Sequence, residues 1–425
     1  MPVIQTVFPR DPVARALTFS TMAFAASTGV FYTVSVLYFT RVIGLSAGTV
    51  GLGLGIAGGA GVVGSFLAGR WSDRLGAHRV QVWGLVVQAV ALAAYSFTAD
   101  AVSFTLVAVA ASAGRGVQGT ARQALLARWF TGPERVEVRA RLRVVTNVLI
   151  GLGTLAAAVA LLLDTATAYR TAMVATAVLL LGAVVPLLRL PRRVPELAAR
   201  MLEDAPASAG PGDDGGAEGA PHPLRDRTYV ASVVLNAVMA MQFGVMTVGV
   251  PLWVATTDAP TAVVSALLVV NTVLVALLQV RASRGTHDVR AAGRAVRRGG
   301  VLLAAACVLY AAAGHGSLAA ATALLVLAAA AHSLGEVLSE AGGWGMAFEL
   351  ADPRRAGAYQ GLSQTGYALA AMAAPVVVTA LPVRFGTPGW LALGAVFAVA
   401  GAAAAEVARR AAGARAGAEA VRAGS

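Results

Sequence analysis

Twelve apolar runs, each about 16–27 residues long and almost free of charge, constrain this chain more than any other feature. A helix of about 20 apolar residues crosses the hydrocarbon core of a bilayer. Inside lipid every backbone polar group must bond within the protein, so runs of this kind fold as spanning helices. In the first half they fall at about 14–40, 46–69, 79–98, 103–126, 144–163 and 170–190. In the second half they fall at about 228–254, 261–280, 299–314, 320–346, 358–382 and 387–408, the ninth being short. Of the 425 residues, 57% are hydrophobic and only 13% charged, which is not the composition of a soluble domain. The first run is long enough to span and is not followed by a small-residue cleavage site, so it reads as a retained helix rather than a signal peptide.

The basic residues orient the bundle. All 33 are arginine, with no lysine, and the formal net charge is +12. With the amino terminus inside, 29 arginines fall at the cytoplasmic ends and loops and only Arg41, Arg170 and Arg384 fall outside. This is the positive-inside pattern, so the positive charge orients the protein in the membrane and implies no nucleic acid. The short external loops carry Asp100, Asp164 and Asp258. The expectation is a multi-pass protein of the cell membrane with both termini cytoplasmic. Arginine without lysine, beside abundant Ala, Gly and Val, points to a high-GC bacterial genome and hence a bacterial inner membrane.

Between 191 and 227 the character changes. Pro191-Arg192-Arg193 opens the segment and Gly210-Pro211-Gly212-Asp213-Asp214-Gly215-Gly216 follows, the composition of a flexible linker. Residues 195–204 suit a short surface helix. The resulting organisation is a six-helix bundle over 1–190, a cytoplasmic linker over 191–227, a second six-helix bundle over 228–408, and a disordered or interfacial cytoplasmic tail over 409–425. The halves echo each other. Residues 127–135, ending Gly132-Pro133-Glu134-Arg135, align with 347–355, ending Asp352-Pro353-Arg354-Arg355, at an offset of 220 residues. The loop from Arg281 to Arg298 takes the place of the first hairpin without its signature.

That hairpin reads Gly69-Arg70-Trp71-Ser72-Asp73-Arg74-Leu75-Gly76-Ala77-His78-Arg79. Gly69 and Gly76 allow close approach and a sharp turn. Asp73 lies among Arg70, Arg74 and Arg79 and is expected to be paired. In the fourth run Arg115, Gln118, Gly119 and Arg122 are spaced i, i+3, i+4 and i+7, one face of a helix. The first segment resembles the G-x-x-x-D-R-x-G signature between helices 2 and 3 of the major facilitator superfamily, departing from it at Ala77 and His78. Arg115-Gly116-Val117-Gln118-Gly119 resembles the R-x-x-Q-G signature of its fourth helix. The resemblance implies an all-α fold of twelve transmembrane helices in two pseudo-symmetric bundles, with a substrate site near the midplane. It also implies that Asp73 closes the cytoplasmic side in one access state, its partners being Arg74 and the amino-terminal end of the eleventh run, whose dipole favours an anion, with Gly69, Arg74 and Gly76 in the gating hairpin, and that Arg115 serves proton coupling. The alternatives are an ordinary basic hairpin and an arginine that bonds backbone carbonyls. The G-P-x-x-G-G motif of many drug–proton antiporters is missing from the fifth run, which reads Asn147-Val148-Leu149-Ile150-Gly151-Leu152-Gly153-Thr154.

The tenth run carries His332, Glu336 and Glu340 at i, i+4 and i+8, a polar stripe on an apolar helix. A charge at the centre of a spanning helix costs about 2.5–3.5 kcal/mol on insertion scales, so such groups face a bundle interior or a cavity. The 220-residue offset sets Arg115 against Gly335, which puts Arg115 and Glu336 at similar depth in opposite halves. Glu336 is the candidate proton carrier. Glu340 is that or a structural partner of arginines near the cytoplasmic end. Tyr32, Asn236, Gln242 and Asn271 are weaker candidates for substrate contact, and amides of this kind often only join helices. Phe31 lies beside Tyr32. Trp253, Trp344 and Trp390, near run ends, suit interfacial anchors.

No phosphate-binding glycine loop is present, and His332 with Glu336 alone makes no metal cluster. Cys307 stands alone, so no internal disulfide forms. Neither a cofactor nor a metal is expected. The reading is a proton-coupled secondary transporter, a monomer in the lipid bilayer, that exports a small amphipathic compound by alternating access. Metabolite uptake or exchange is the alternative, as is a membrane sensor or scaffold with the same bundle and no flux. A membrane enzyme is disfavoured because no nucleophile accompanies His332, Glu336 and Glu340.

Overall fold

A computed structural model describes residues 9–202, 222–256, 262–315 and 317–423. Among them no strand occurs and the chain is a succession of long helices. We label the long ones α1 (Pro12–Val42), α2 (Ala47–Leu75), α3 (Ala77–Phe97), α4 (Ala101–Trp129), α5 (Pro133–Leu163), α6 (Ala166–Arg193), α7 (Arg227–Val254), α8 (Ala262–Ser283), α9 (Val289–Ala313), α10 (Leu318–Glu349), α11 (Pro353–Val383) and α12 (Thr387–Ala423). A short helix, Leu197–Leu202, follows α6 and buries Leu197 and Met201.

The helix starts follow ordinary capping chemistry. Asp11, Ser46, Thr165, Asp226, Asp288 and Ser317 each accept a backbone N–H of the first turn, and Asp100 with Ser103 completes a capping box. Gly76 ends α2 at φ 88°, a conformation a side chain would strain, and so reverses the chain into α3 in one residue. Tyr38–Val42, Val245–Gly249 and Thr379–Val383 are π turns, within α1, α7 and α11.

Eleven of the helices are long and apolar enough to cross a membrane. The exception, α4, is as long as α2 but carries Arg115, Gln118, Arg122 and Gln123. The described chain forms two compact units. One takes Met1–Thr131, Arg141–Ala220 and Asp352–Ala368; the other takes Gly132–Ala140, Pro221–Ala351 and Leu369–Ser425. The first nine residues of the α5 region thus group with the second unit, and the start of α11 with the first. In the first unit α1 packs on α6, α2 on α4, α3 on α4 and α3 on α6. In the second, α7 packs on α12, α8 on α10, α9 on α10 and α9 on α12. The same four pairings recur six helices later.

Several elements depart from the sequence reading. α9 starts at Val289 rather than near 299, and α5 at Pro133 rather than near 144. Both begin with arginine-rich turns that a hydropathy run passes over. In α9, Arg290, Arg294, Arg297 and Arg298 are exposed while Ala292, Gly293, Val296 and Gly299 are buried, so the start is amphipathic. The tail, expected to be disordered or interfacial, is helical rather than disordered: α12 runs on to Ala423, with Glu406 pairing with Arg409 and Arg410. The Gly210–Gly216 stretch of the linker and Asp258 lie outside the described residues. Trp253, Trp344 and Trp390 are not interfacial anchors. All three are buried, and Trp390 meets Trp253 edge-on and Tyr310 at a tilt.

Candidate functional site

In the second unit a polar seam crosses the middle of α10. His332, Glu336 and Glu340 are 1%, 4% and 4% exposed. Ser317 caps α10, and the 3.6-residue period then stacks the three groups on one face. Helices α7 and α8 supply their partners. Gln242, fully buried, sits where α7 loses its regular turn before the π segment, and its Oε1 lies 2.8 Å from His332 Nε2. Asn271 of α8 donates from Nδ2 to Glu336 Oε2 at 2.9 Å and to Ser333 Oγ at 3.1 Å. The Tyr310 ring of α9 faces the imidazole with centroids 6.2 Å apart. Four of the residues singled out in the sequence therefore form two bonded pairs, Gln242 with His332 and Asn271 with Glu336, one turn apart on α10. Asn236 lies elsewhere, against the backbone of Gly343, where an added Cβ would collide with its carboxamide.

In the first unit Arg115 extends from α4 to α1. Its Nη1 donates to Tyr32 Oη at 2.7 Å, and its guanidinium carbon lies 5.2 Å from the Tyr32 ring centre and 5.7 Å from that of Phe24. Cation–π attraction of this kind lowers the cost of a cation among helices. Among the described residues no carboxylate pairs with Arg115. The side chain of Tyr32 is 59% exposed, and a Cβ at Gly119, one turn along α4, would meet nothing within 4 Å. This face of α4 opens on space. Gln118 does not share it: it is 3% exposed and packs where α3 crosses at Gly84. The R-x-x-Q-G segment is thus divided between an open arginine and a helix-packing glutamine.

The hairpin residues take a third position, also in the first unit. Asp73 is 6% exposed. Its Oδ1 accepts from Arg128 Nη2 at 2.9 Å and from the Gly357 N–H at 2.8 Å, and its Oδ2 accepts from the Ala358 N–H at 2.8 Å. These two N–H groups belong to the first turn of α11, where orphan donors and the helix dipole favour an anion. The α2–α11 crossing is close enough that a Cβ on Gly69 would come within 2.7 Å of the Gly357 carbonyl oxygen. Arg74, expected as a partner of Asp73, is exposed and bonds nothing among the described residues. One residue further along a helix points about 100° away, and the charge comes instead from the end of α4. Sequence reasoning missed Arg128 as a partner, although it falls inside the 127–135 segment that repeats at 347–355. In the second unit the start of α5 makes a comparable contact at the end of α10. Arg135 pairs with Glu349 at 3.1 Å, and Arg139 lies over the Trp344 ring at 4.8 Å.

A sequence model of the Major Facilitator Superfamily matches residues 17–375. The chain belongs to this superfamily. Solved superfamily folds superpose along nearly its whole length. The human organic anion transporter MFSD10 (TETRAN) does so with a TM-score of 0.64 at 17% identity, covering 93% of this chain and 99% of its own. A bacterial homologue of the iron transporter ferroportin, in an outward-facing state, gives 0.71 at 14% identity, covering 94% and 98%; the same protein with soaked iron gives the same values. At these identities the likeness is one of fold. No curated protein matches the sequence. Membership makes the chain a multi-pass membrane protein of a transporter superfamily, and the hairpin and Arg115 segments sit on the superfamily's helices α2 and α4.

Proposed function

We propose that the protein is a proton-coupled secondary transporter that exports a small amphipathic compound across the cytoplasmic membrane by alternating access. The observation that carries the coupling is the α10 seam, where Glu336 is buried in mid-helix and held by the neutral carboxamide of Asn271. A buried carboxylate is balanced between desolvation, which favours its protonated form, and donors, which favour its charged form. A change in access that alters either side of this balance moves a proton. His332, joined to Gln242 on the irregular turn of α7, links the same seam to a helix that is already broken.

Arg115 favours an anionic group on the substrate. Its only described partners are a hydroxyl and two aromatic rings, which leaves its charge available. One solved neighbour, MFSD10, is an organic anion transporter. Uptake or exchange of a metabolite is the alternative within the transporter reading, and a sensor or scaffold without flux is the alternative outside it.

The test uses proteoliposomes and a compound selected by a susceptibility screen of expressing cells. Proton-driven accumulation and counterflow are measured side by side. Glu336→Gln abolishes gradient-driven flux and retains exchange, because glutamine mimics the protonated acid. Glu340→Gln, one turn further along α10, does less. Arg115→Ala lowers both modes. Normal pH-dependent accumulation in Glu336→Gln would return Glu336 to a structural role, and no flux in the parent protein would leave the scaffold reading.

A further inference from the structure

The end of α1 that carries Arg15 and the end of α6 that carries Arg193 enclose a pocket of about 410 Å³ in the first unit. Gly182, Pro186, Arg189 and Arg193 contribute from one face of α6, and Arg15 and Phe19 from α1. Pro186 lacks an N–H, so the Gly182 carbonyl loses the donor that would close its helical turn. A Cβ on Gly182 would meet nothing within 4 Å, so this wall is open. Phe19 is 41% exposed, a large apolar surface beside three cations.

None of the Arg15, Arg189 and Arg193 side chains has a hydrogen-bond, ion-pair or aromatic partner among the described residues. The nearest acid on α1, Asp11, is engaged by the Ala14 N–H and the Trp129 indole N–H. Arg189 and Arg193 stand at the carboxy-terminal end of α6, where the helix dipole favours cations. Three guanidinium groups without acceptors line one pocket and complement the charge of a phosphate. A free phosphate would use only the arginines. The rest of the pocket is apolar and lies between the ends of two membrane-spanning helices, where acyl chains run alongside. Basic pockets between helices at a membrane surface bind anionic headgroups.

We propose that this pocket binds one anionic phospholipid, its phosphate held by Arg15, Arg189 and Arg193 and its proximal acyl chain against Phe19 and Pro186. The choline cation of a zwitterionic headgroup would face the same three arginines, which favours a phosphoglycerol headgroup over a choline one.

The full-length protein is purified in detergent and examined by native mass spectrometry after exposure to phosphatidylglycerol, to phosphatidylcholine or to inorganic phosphate. The wild type retains phosphatidylglycerol in preference to phosphatidylcholine, and inorganic phosphate at the same concentration does not displace it. One basic residue near a charged headgroup is worth about fivefold in affinity, so Arg15→Ala, Arg189→Ala and Arg193→Ala combined weaken retention roughly a hundredfold. Gly182→Phe keeps all three charges and fills the pocket, and it also weakens retention, by about tenfold or more on the same scale of burial. If the triple variant does not fold, Gly182→Phe decides alone. Equal retention of phosphatidylcholine by the wild type, or wild-type retention in Gly182→Phe, overturns the proposal. Displacement by inorganic phosphate also overturns it and assigns the arginines to a soluble anion.

Discussion

Asp73 is bonded to groups 55 and 284 residues away in sequence and to neither arginine beside it. The side chains of Asp73 and Arg128 are 9% and 4% exposed, so the pair is shielded from water. Removing one partner of a buried ion pair costs about 3–5 kcal/mol, because the other charge is left without compensation. Asp73→Asn keeps the side chain's size and one acceptor oxygen but strands Arg128. The variant is expected to express and purify at near-normal yield and to lose most of its transport, as a contact proposed to close one access state requires. Arg128→Ala is expected to behave alike, and Arg74→Ala to transport normally. Full flux in Asp73→Asn would make the motif decorative. At this scale the sequence identified which residues matter better than it identified their partners. The stripe His332–Glu336 follows from helical period alone, and the motif pointed to Asp73. The pairing with Arg128 depends on how α2, α4 and α11 meet, which no local spacing encodes.

The corner between α5 and α6 shows how a helix junction is fixed. Asp164 has φ 42°, rare for a residue with a side chain, and its carboxylate accepts from Tyr169 Oη at 2.6 Å and from Arg41 at 2.8 Å. The Tyr169 hydroxyl first, and then the Arg41 guanidinium, hold its carboxyl below the usual carboxylate range. A carboxyl whose folded pKa is depressed stabilises the fold above its unfolded value and loses that contribution as pH falls through the folded value. The corner is therefore intact at neutral pH and weakens only below about pH 4, the unfolded range of an aspartate. Asp164→Asn is expected to lower the melting temperature slightly at pH 7 and to flatten its decline between about pH 5 and pH 3. Differential scanning fluorimetry in detergent at stepped pH checks this, and an unchanged acid slope would remove Asp164 from the account. Elements were legible where they are uniformly apolar. They were misjudged where one face is basic, as at the starts of α5 and α9, because hydropathy averages over the turn. They were misjudged again where tryptophans near helix ends turned inward, Trp253 and Trp390 to Tyr310 and Trp344 to Arg139, rather than outward to the interface.

The four helix pairings that recur six helices apart describe a duplicated unit. Six crossings per half would return the chain to the side on which it began and put both termini and the central segment on one side. The arginine asymmetry predicts that this side is the cytoplasm. This parity depends on α4, the one long helix not apolar enough to qualify on its own. Its burden is concentrated in a few groups: Arg115 rests against Tyr32 and Phe24, and Gln118 is buried against α3. Side chains satisfied in this way do not have to face lipid, so the helix is expected to cross. Reporter fusions test the whole scheme. A fusion in the linker at Gly212 and one after Gly413 are expected to report cytoplasm, and one at Asp164 the outside. If α4 did not cross, five helices would precede the linker, and the Gly212 reporter would appear outside while the Asp164 reporter appeared inside. Inversion at both positions therefore means that one helix before Asp164 does not cross, and α4 is the one its composition points to. A Gly212 reporter outside together with an Asp164 reporter outside would instead reject the six-plus-six organisation.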